Sequence, residues 1–130
     1  MIETAERVKQ NDIPAEDICQ LVVKGMQEKK GVNIIVLNLK GVKNAIADYF
    51  VICSGKSDTQ VDALADSIDE EVHKASGVNP WHREGKNQKE WILLDYVDVV
   101  AHVFKQDRRD FYRLEELWGD AEMTVIEDEA

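Results

Sequence analysis

The spacing of apolar positions along this 130-residue chain changes several times, and each change marks an element. From Pro14, Ile18, Leu21, Val22, Gly25 and Met26 recur at helical spacing. Pro14 suits a first turn, Glu16 and Asp17 suit its dipole, Lys29 and Lys30 fill the last turn, and Gly31 stops it. Two runs rich in β-branched residues follow, Asn33 to Leu39 and Tyr49 to Cys53, with a turn at Gly41-Val42-Lys43-Asn44. Continuous apolar runs of this kind predict strands covered on both faces. Ser57 or Asp58 caps a second helix with the stripe Val61, Leu64, Ala65, Ile68 and Val72, ended by Gly77 and Pro80.

Strand spacing then returns. Trp81 to Glu84 is short, and Gly85-Lys86-Asn87-Gln88 is turn chemistry. Trp91 to Asp95 and Asp98 to Lys105 are strong strands nearly joined at Tyr96-Val97, as in a tight antiparallel hairpin. Asp107 to Trp118 reads as a last helix, with Phe111, Leu114, Leu117 and Trp118 as its stripe.

The expected order is α-β-β-α-β-β-β-α, an α/β single domain with a mixed sheet of about five strands. The helix between the second and third strands allows that pair to be parallel. Residues 1–12 read as a leader, 13–119 as the domain and 120–130 as an acidic tail. Trp91-Ile92-Leu93-Leu94 is apolar on both faces of its strand, and the helices are too few to cover both faces. Some of that surface should meet another chain.

Charge narrows the function. The net charge of −10 repels bare nucleic acid and anionic lipid, so a protein surface of positive charge is the favoured partner. No run reaches the roughly 18 apolar residues of a membrane span, and the polar start lacks a secretory core, so the expected location is the cytoplasm. Cys19 and Cys53 lie among apolar neighbours and read as buried free thiols.

Catalytic motifs are weak. Gly55-Lys56-Ser57 stands between strand and helix, but a phosphate-binding loop needs a second glycine where Phe50 stands. Asp62 and Asp66 share a helix face and offer no strand-borne magnesium pair. His73, His82 and His102 lack zinc spacing, and His102, flanked on its face by Val100 and Phe104, reads as a core histidine. No catalytic residue, metal or cofactor is expected. More distinctive is the gathering of Glu84, Trp91, Asp95, Tyr96 and Asp98 around one turn and two strands. It fits either a docking patch or a core tryptophan with a solvated acidic rim.

Three blocks carry a resemblance. They are Ala47-Asp48-Tyr49-Phe50-Val51-Ile52-Cys53-Ser54-Gly55 with Ser57 and Val61; Glu84-Gly85 followed by Trp91-Ile92-Leu93-Leu94-Asp95-Tyr96; and Asp98-Val99-Val100 with His102-Val103-Phe104, Arg109, Phe111-Tyr112, Leu114-Glu115 and Leu117-Trp118. In order and spacing the chain resembles Iojap, the bacterial ribosomal silencing factor S family. The resemblance implies a nucleotidyltransferase-like fold without its catalytic acids. It further implies binding to large-subunit ribosomal protein uL-fourteen at the intersubunit face, blocked subunit joining, repressed translation, and a homodimer when free. The contact residues it implies are Glu84, Trp91, Leu94, Asp95, Tyr96 and Asp98. Val97 departs from the family's usual glycine, so the turn is expected to open or bulge. Ala101 replaces a usual valine. The competing readings are a nucleotidyltransferase-like enzyme or nucleotide-binding protein, and a dimerisation module with another partner.

Overall fold

In the computed structural model, residues 7–9, 11–85, 90–107 and 121–128 are described. Helix α1, Ala15–Glu28, follows Pro14, whose carbonyl accepts from the Asp17 and Ile18 amides at 3.0 and 3.2 Å. It is shorter than the spacing predicts. Lys29 caps it and Lys30 turns left-handed at φ 58°, so neither lysine lies in the last turn. Strand β1, Val32–Asn38, and strand β2, Tyr49–Gly55, form an antiparallel pair. Helix α2, Asp58–Ser76, is capped by Ser57, whose hydroxyl accepts from the Gln60 amide at 3.1 Å, and closed by Gly77 at φ 76°. Strands β3, His82–Glu84, β4, Trp91–Asp95, β5, Val99–Lys105, and β6, Glu122–Ile126, complete a six-stranded mixed sheet. The helix expected over Asp107–Trp118 lies, beyond Asp107, outside the described residues.

The sheet order is β3-β4-β5-β2-β1-β6, with β2 and β5 parallel. Two expectations change. The strands number six rather than about five, because Glu122–Ile126, within the stretch read as an acidic tail, pairs with β1. Its Met-Thr-Val-Ile core is short and lies between acids on both sides, so composition alone resembles a solvated tail. The parallel partner of β2 is the fifth strand, not the third. A central position calls for a strand buried on both faces, which β5 is and the three-residue, polar β3 is not.

Helices α1 and α2 share one face of the sheet. Their packing there is close: a Cβ on Gly25 would lie 2.7 Å from the Ile68 Cα, and the Ser67 hydroxyl donates to the Gly25 carbonyl at 2.8 Å. Beneath them lie Val51, Cys53, Ile92, Leu94, Val99, Ala101 and Val103, each from the alternate positions of its strand. Both cysteines are buried in this layer as thiols outside any disulfide, and burial pushes the Cys19 thiol up to about 11. The opposite face gathers Leu37, Phe50, Ile52, Val100 and Phe104, with Trp91 and Leu93 half-buried at its margin.

Candidate docking face

Strands β4 and β5 place the predicted residues, and they do not place them all together. Leu94 and Tyr96 point into the helix-side core and are buried there. They shape the strand pair from beneath and offer no surface as anchors. Burial, with Asp69 adding to it, pushes the Tyr96 phenol upward, against the opposing charge of Arg83. Trp91 stands on the other face, stacked on Phe104 with ring centroids 5.1 Å apart. Its indole N–H donates to Nδ1 of His102 at 3.0 Å. Glu84 is paired in register with Leu93, at the middle of β4, and is exposed with its carboxylate 2.9 Å from His82 Nε2. Asp95 lies four residues beyond Trp91 along β4, about 13 Å at the ordinary rise of a strand, and two beyond Leu93.

At that far end, Asp95, Val97 and Asp98 build the connection to β5. Val97 keeps a positive φ of 76°, and the Asp98 amide donates to the Tyr96 carbonyl at 3.0 Å, closing a γ-turn. The turn is therefore not opened or bulged. A β-branched residue in this region is strained, and neighbouring groups hold it there. The Asp95 carboxylate accepts from the Val97 amide at 2.7 Å, and the Tyr96 amide donates to the Val99 carbonyl at 2.8 Å. A shift of register does occur in β1, between Val32 and Ile35.

Two residues that the sequence reading passed over complete the turn. Arg7 donates through Nε and Nη2 to the two Asp95 carboxylate oxygens, both at 2.7 Å. The same guanidinium donates to the carbonyls of Val97 at 2.7 Å and Ile46 at 2.6 Å. Lys9 Nζ meets the Asp98 carboxylate at 2.8 Å. The available signal was slight: two cations spaced by two in an extended stretch share one side of the chain.

His102 is the polar centre of the second face. Since its Nδ1 accepts from Trp91, the ring proton sits on Nε2, which is buried without a hydrogen-bond partner among the described residues. Burial pushes this histidine down to about 3, against the raising influence of Asp95. It is a neutral core group hydrogen-bonded on one side. The Gly55 loop is built for packing: its Lys56 amide donates to the Gln60 side chain at 2.7 Å, and a Cβ on Gly55 would press on Val61 and Leu64. Asp66 meets Arg83 at 2.9 Å. No group of three or more potential metal ligands occurs among the described residues, and no helix there is long and apolar enough to cross a membrane.

The family model described as "Ribosomal silencing factor during starvation" matches residues 12–130. The chain belongs to the ribosomal silencing factor family. A ribosomal silencing factor of Halalkalibacterium halodurans is 41% identical over 112 residues, covering 86% of this chain and 94% of that protein. The chloroplast Iojap protein of Zea mays is 35% identical over 78 residues, 56% of this chain and 31% of the maize protein. A crystal structure from Chromobacterium violaceum superposes with a TM-score of 0.77 at 34% identity, covering 82% of this chain and 88% of that one. The fold and the Iojap resemblance therefore stand. Within the silencing factor fold, Ala101 is a buried helix-side residue of β5 that faces Leu94 across the strand pair. The smaller side chain sits where two packed helices already press on the sheet.

Proposed function

We propose that this silencing factor docks its β4–β5 end on ribosomal protein uL-fourteen of the large subunit and prevents the small subunit from joining by bulk. Translation is repressed because the joining surface is covered, with no chemical step. The observation that carries this reading is the acidic turn itself, where Asp95 and Asp98 hold an arginine and a lysine. The site is thus suited to cationic side chains, and the net charge of −10 directs the chain to basic protein rather than to RNA. Trp91, half-buried on the second face, supplies apolar surface at the margin of that face. Glu84, on the edge strand, extends the negative rim. The homodimer of the free chain and a cytoplasmic site of action belong to the same proposal.

The geometry selects the test. Asp95 supports the turn, with its side chain only 11% exposed, whereas the Asp98 and Glu84 side chains are 31% and 65% exposed. E84K/D98K reverses two accessible charges while leaving the Asp95 support in place. Purified subunits mixed with an excess of the wild-type chain should fail to form whole ribosomes on a sucrose gradient. The double variant should co-sediment with large subunits at least tenfold more weakly. Undisturbed reassociation in the presence of the wild-type chain would overturn the proposal.

A further inference from the structure

We propose that Arg7 and Lys9 are an internal competitor for the docking face, and that the Asp95 end of that face is an arginine site which a partner's arginine enters by displacing Arg7. The inference rests on the docking reading and adds the chemistry of the exchanged group and a built-in restraint on binding.

The site is shaped for a guanidinium. Arg7 uses its planar fork on both Asp95 oxygens and places further N–H groups on the Val97 and Ile46 carbonyls, all at 2.6 to 2.7 Å. Four acceptors, three from the β4–β5 turn and one from Ile46 about 50 residues earlier, thus surround one group, an arrangement that a lysine's single ammonium cannot satisfy. The positive-φ turn at Val97 helps to aim one of these acceptors.

The hold is also of a kind that exchanges. Arg7 and Lys9 grip the turn by polar contacts, and Val8 between them is 47% exposed. A replacement arginine would restore every bond that Arg7 gives up, so the exchange leaves no buried carboxylate unpaired. Beside the site lies a concavity of about 400 Å³, lined in part by Lys40, Ile46, Asp48, Val97 and Asp98, through which an incoming side chain can approach. While the segment is seated, the two acids meant for a partner are occupied. The observed affinity is then reduced by the fraction of molecules whose turn is open.

The test uses full-length R7A/K9A beside the wild type. The variant should bind large subunits about tenfold more tightly, and its binding should fall more steeply with salt, since no internal cation leaves as the partner's cation arrives. Equal or weaker binding by a variant whose amide spectrum shows the same fold would overturn the proposal, because Arg7 would then be a strut of the binding-competent turn. A second arm needs no ribosome. The peptide acetyl-Arg-Val-Lys-amide should shift the Val97 amide of the variant saturably, and at higher concentration should displace the Arg7 Nε–H signal of the wild type. Its lysine-for-arginine analogue should bind at least fivefold more weakly. No shift at Val97, or equal binding of the two peptides, would overturn the arginine site. If neither form of the chain sediments with large subunits, the docking reading fails instead, and the peptide arm alone decides whether Arg7 is exchangeable.

Discussion

The helix-covered face of the sheet and the β4–β5 turn are held together by opposite means. On the helix side, apolar residues from α1, α2 and four strands interlock, and polar links such as the Ser67 hydroxyl on the Gly25 carbonyl and Lys24 beside Glu71 are secondary to that packing. At the turn, a strained Val97 is held by hydrogen bonds and ion pairs that reach 88 and 90 residues back to Arg7. Close packing loses free energy whenever an atom is added or removed, and it has no ready substitute. An ion-paired turn can trade one cation for another of the same shape. The difference separates the part of the molecule that sets its form from the part that is able to answer a partner.

The largest expected effect strikes the packed side. Gly25→Ala forces a methyl to within 2.7 Å of the α2 backbone at Ile68, where no flexible side chain is available to yield. Loss of about 3 kcal/mol in urea-unfolding free energy is expected, the upper range for overpacking. The turn should be untouched, so the Val97 and Asp98 amide resonances should keep their positions. A loss under about 1 kcal/mol would mean that α1 and α2 slide past each other easily, and the contrast with the turn would weaken.

The second effect tests a buried polar group of the sheet's second face. His102 is neutral in the folded chain, lowered to about 3, while the unfolded chain titrates near 6.5. Between those values the unfolded state binds a proton that the folded state refuses. Folding free energy contributed by this group is therefore fully present above pH 6.5 and is lost as pH falls toward 3. The slope is about 1.4 kcal/mol per pH unit while the difference lasts. Carboxylates add their own dependence, so the useful quantity is the difference between the wild type and H102Q, which keeps an acceptor for the Trp91 indole. The wild type should lose stability relative to H102Q by about that slope between pH 6 and 4. Parallel profiles would place the imidazole in contact with water.

Legibility in the sequence followed the same division. Every element of the packed side could be read from spacing: the stripe Val61, Leu64, Ala65, Ile68 and Val72 of α2 is buried throughout, with Ser57 and Gly77 at its two ends. Periodicity is local, and it reports which residues face inward. It does not report which strand neighbours which, so β5 was missed as the parallel partner of β2. Nor does it separate a short edge strand from a charged tail, so β6 went unread among its acids. For the site, the blocks of the family pattern pointed to the β4–β5 turn but not to the direction of each side chain. Alternation along β4 sends Leu94 to the helices and Trp91 to the other face, so the six predicted residues form no single patch. Arg7 was invisible because its role depends on a contact made almost 90 residues away in sequence.

The smallest effect is the one that probes the turn most directly. Val97 adopts φ 76°, where an L-residue loses roughly 1 to 2 kcal/mol and a β-branched one is especially crowded. Replacing it with glycine removes that strain, but it also gives the unfolded chain more freedom, which offsets roughly 0.5 to 1 kcal/mol. A net gain of about 0.5 to 1 kcal/mol is expected for V97G in urea unfolding. The backbone bonds from Asp95 and Arg7 do not involve the valine side chain, so both should survive and the Val97 position should keep its protected amide. The sign matters more than the size. A stabilised V97G with unchanged Arg7 contacts means that the latch holds a strained turn against its own preference. If V97G is less stable than the wild type, the valine side chain contributes packing at the turn, and the two regions differ less in construction than their contacts suggest.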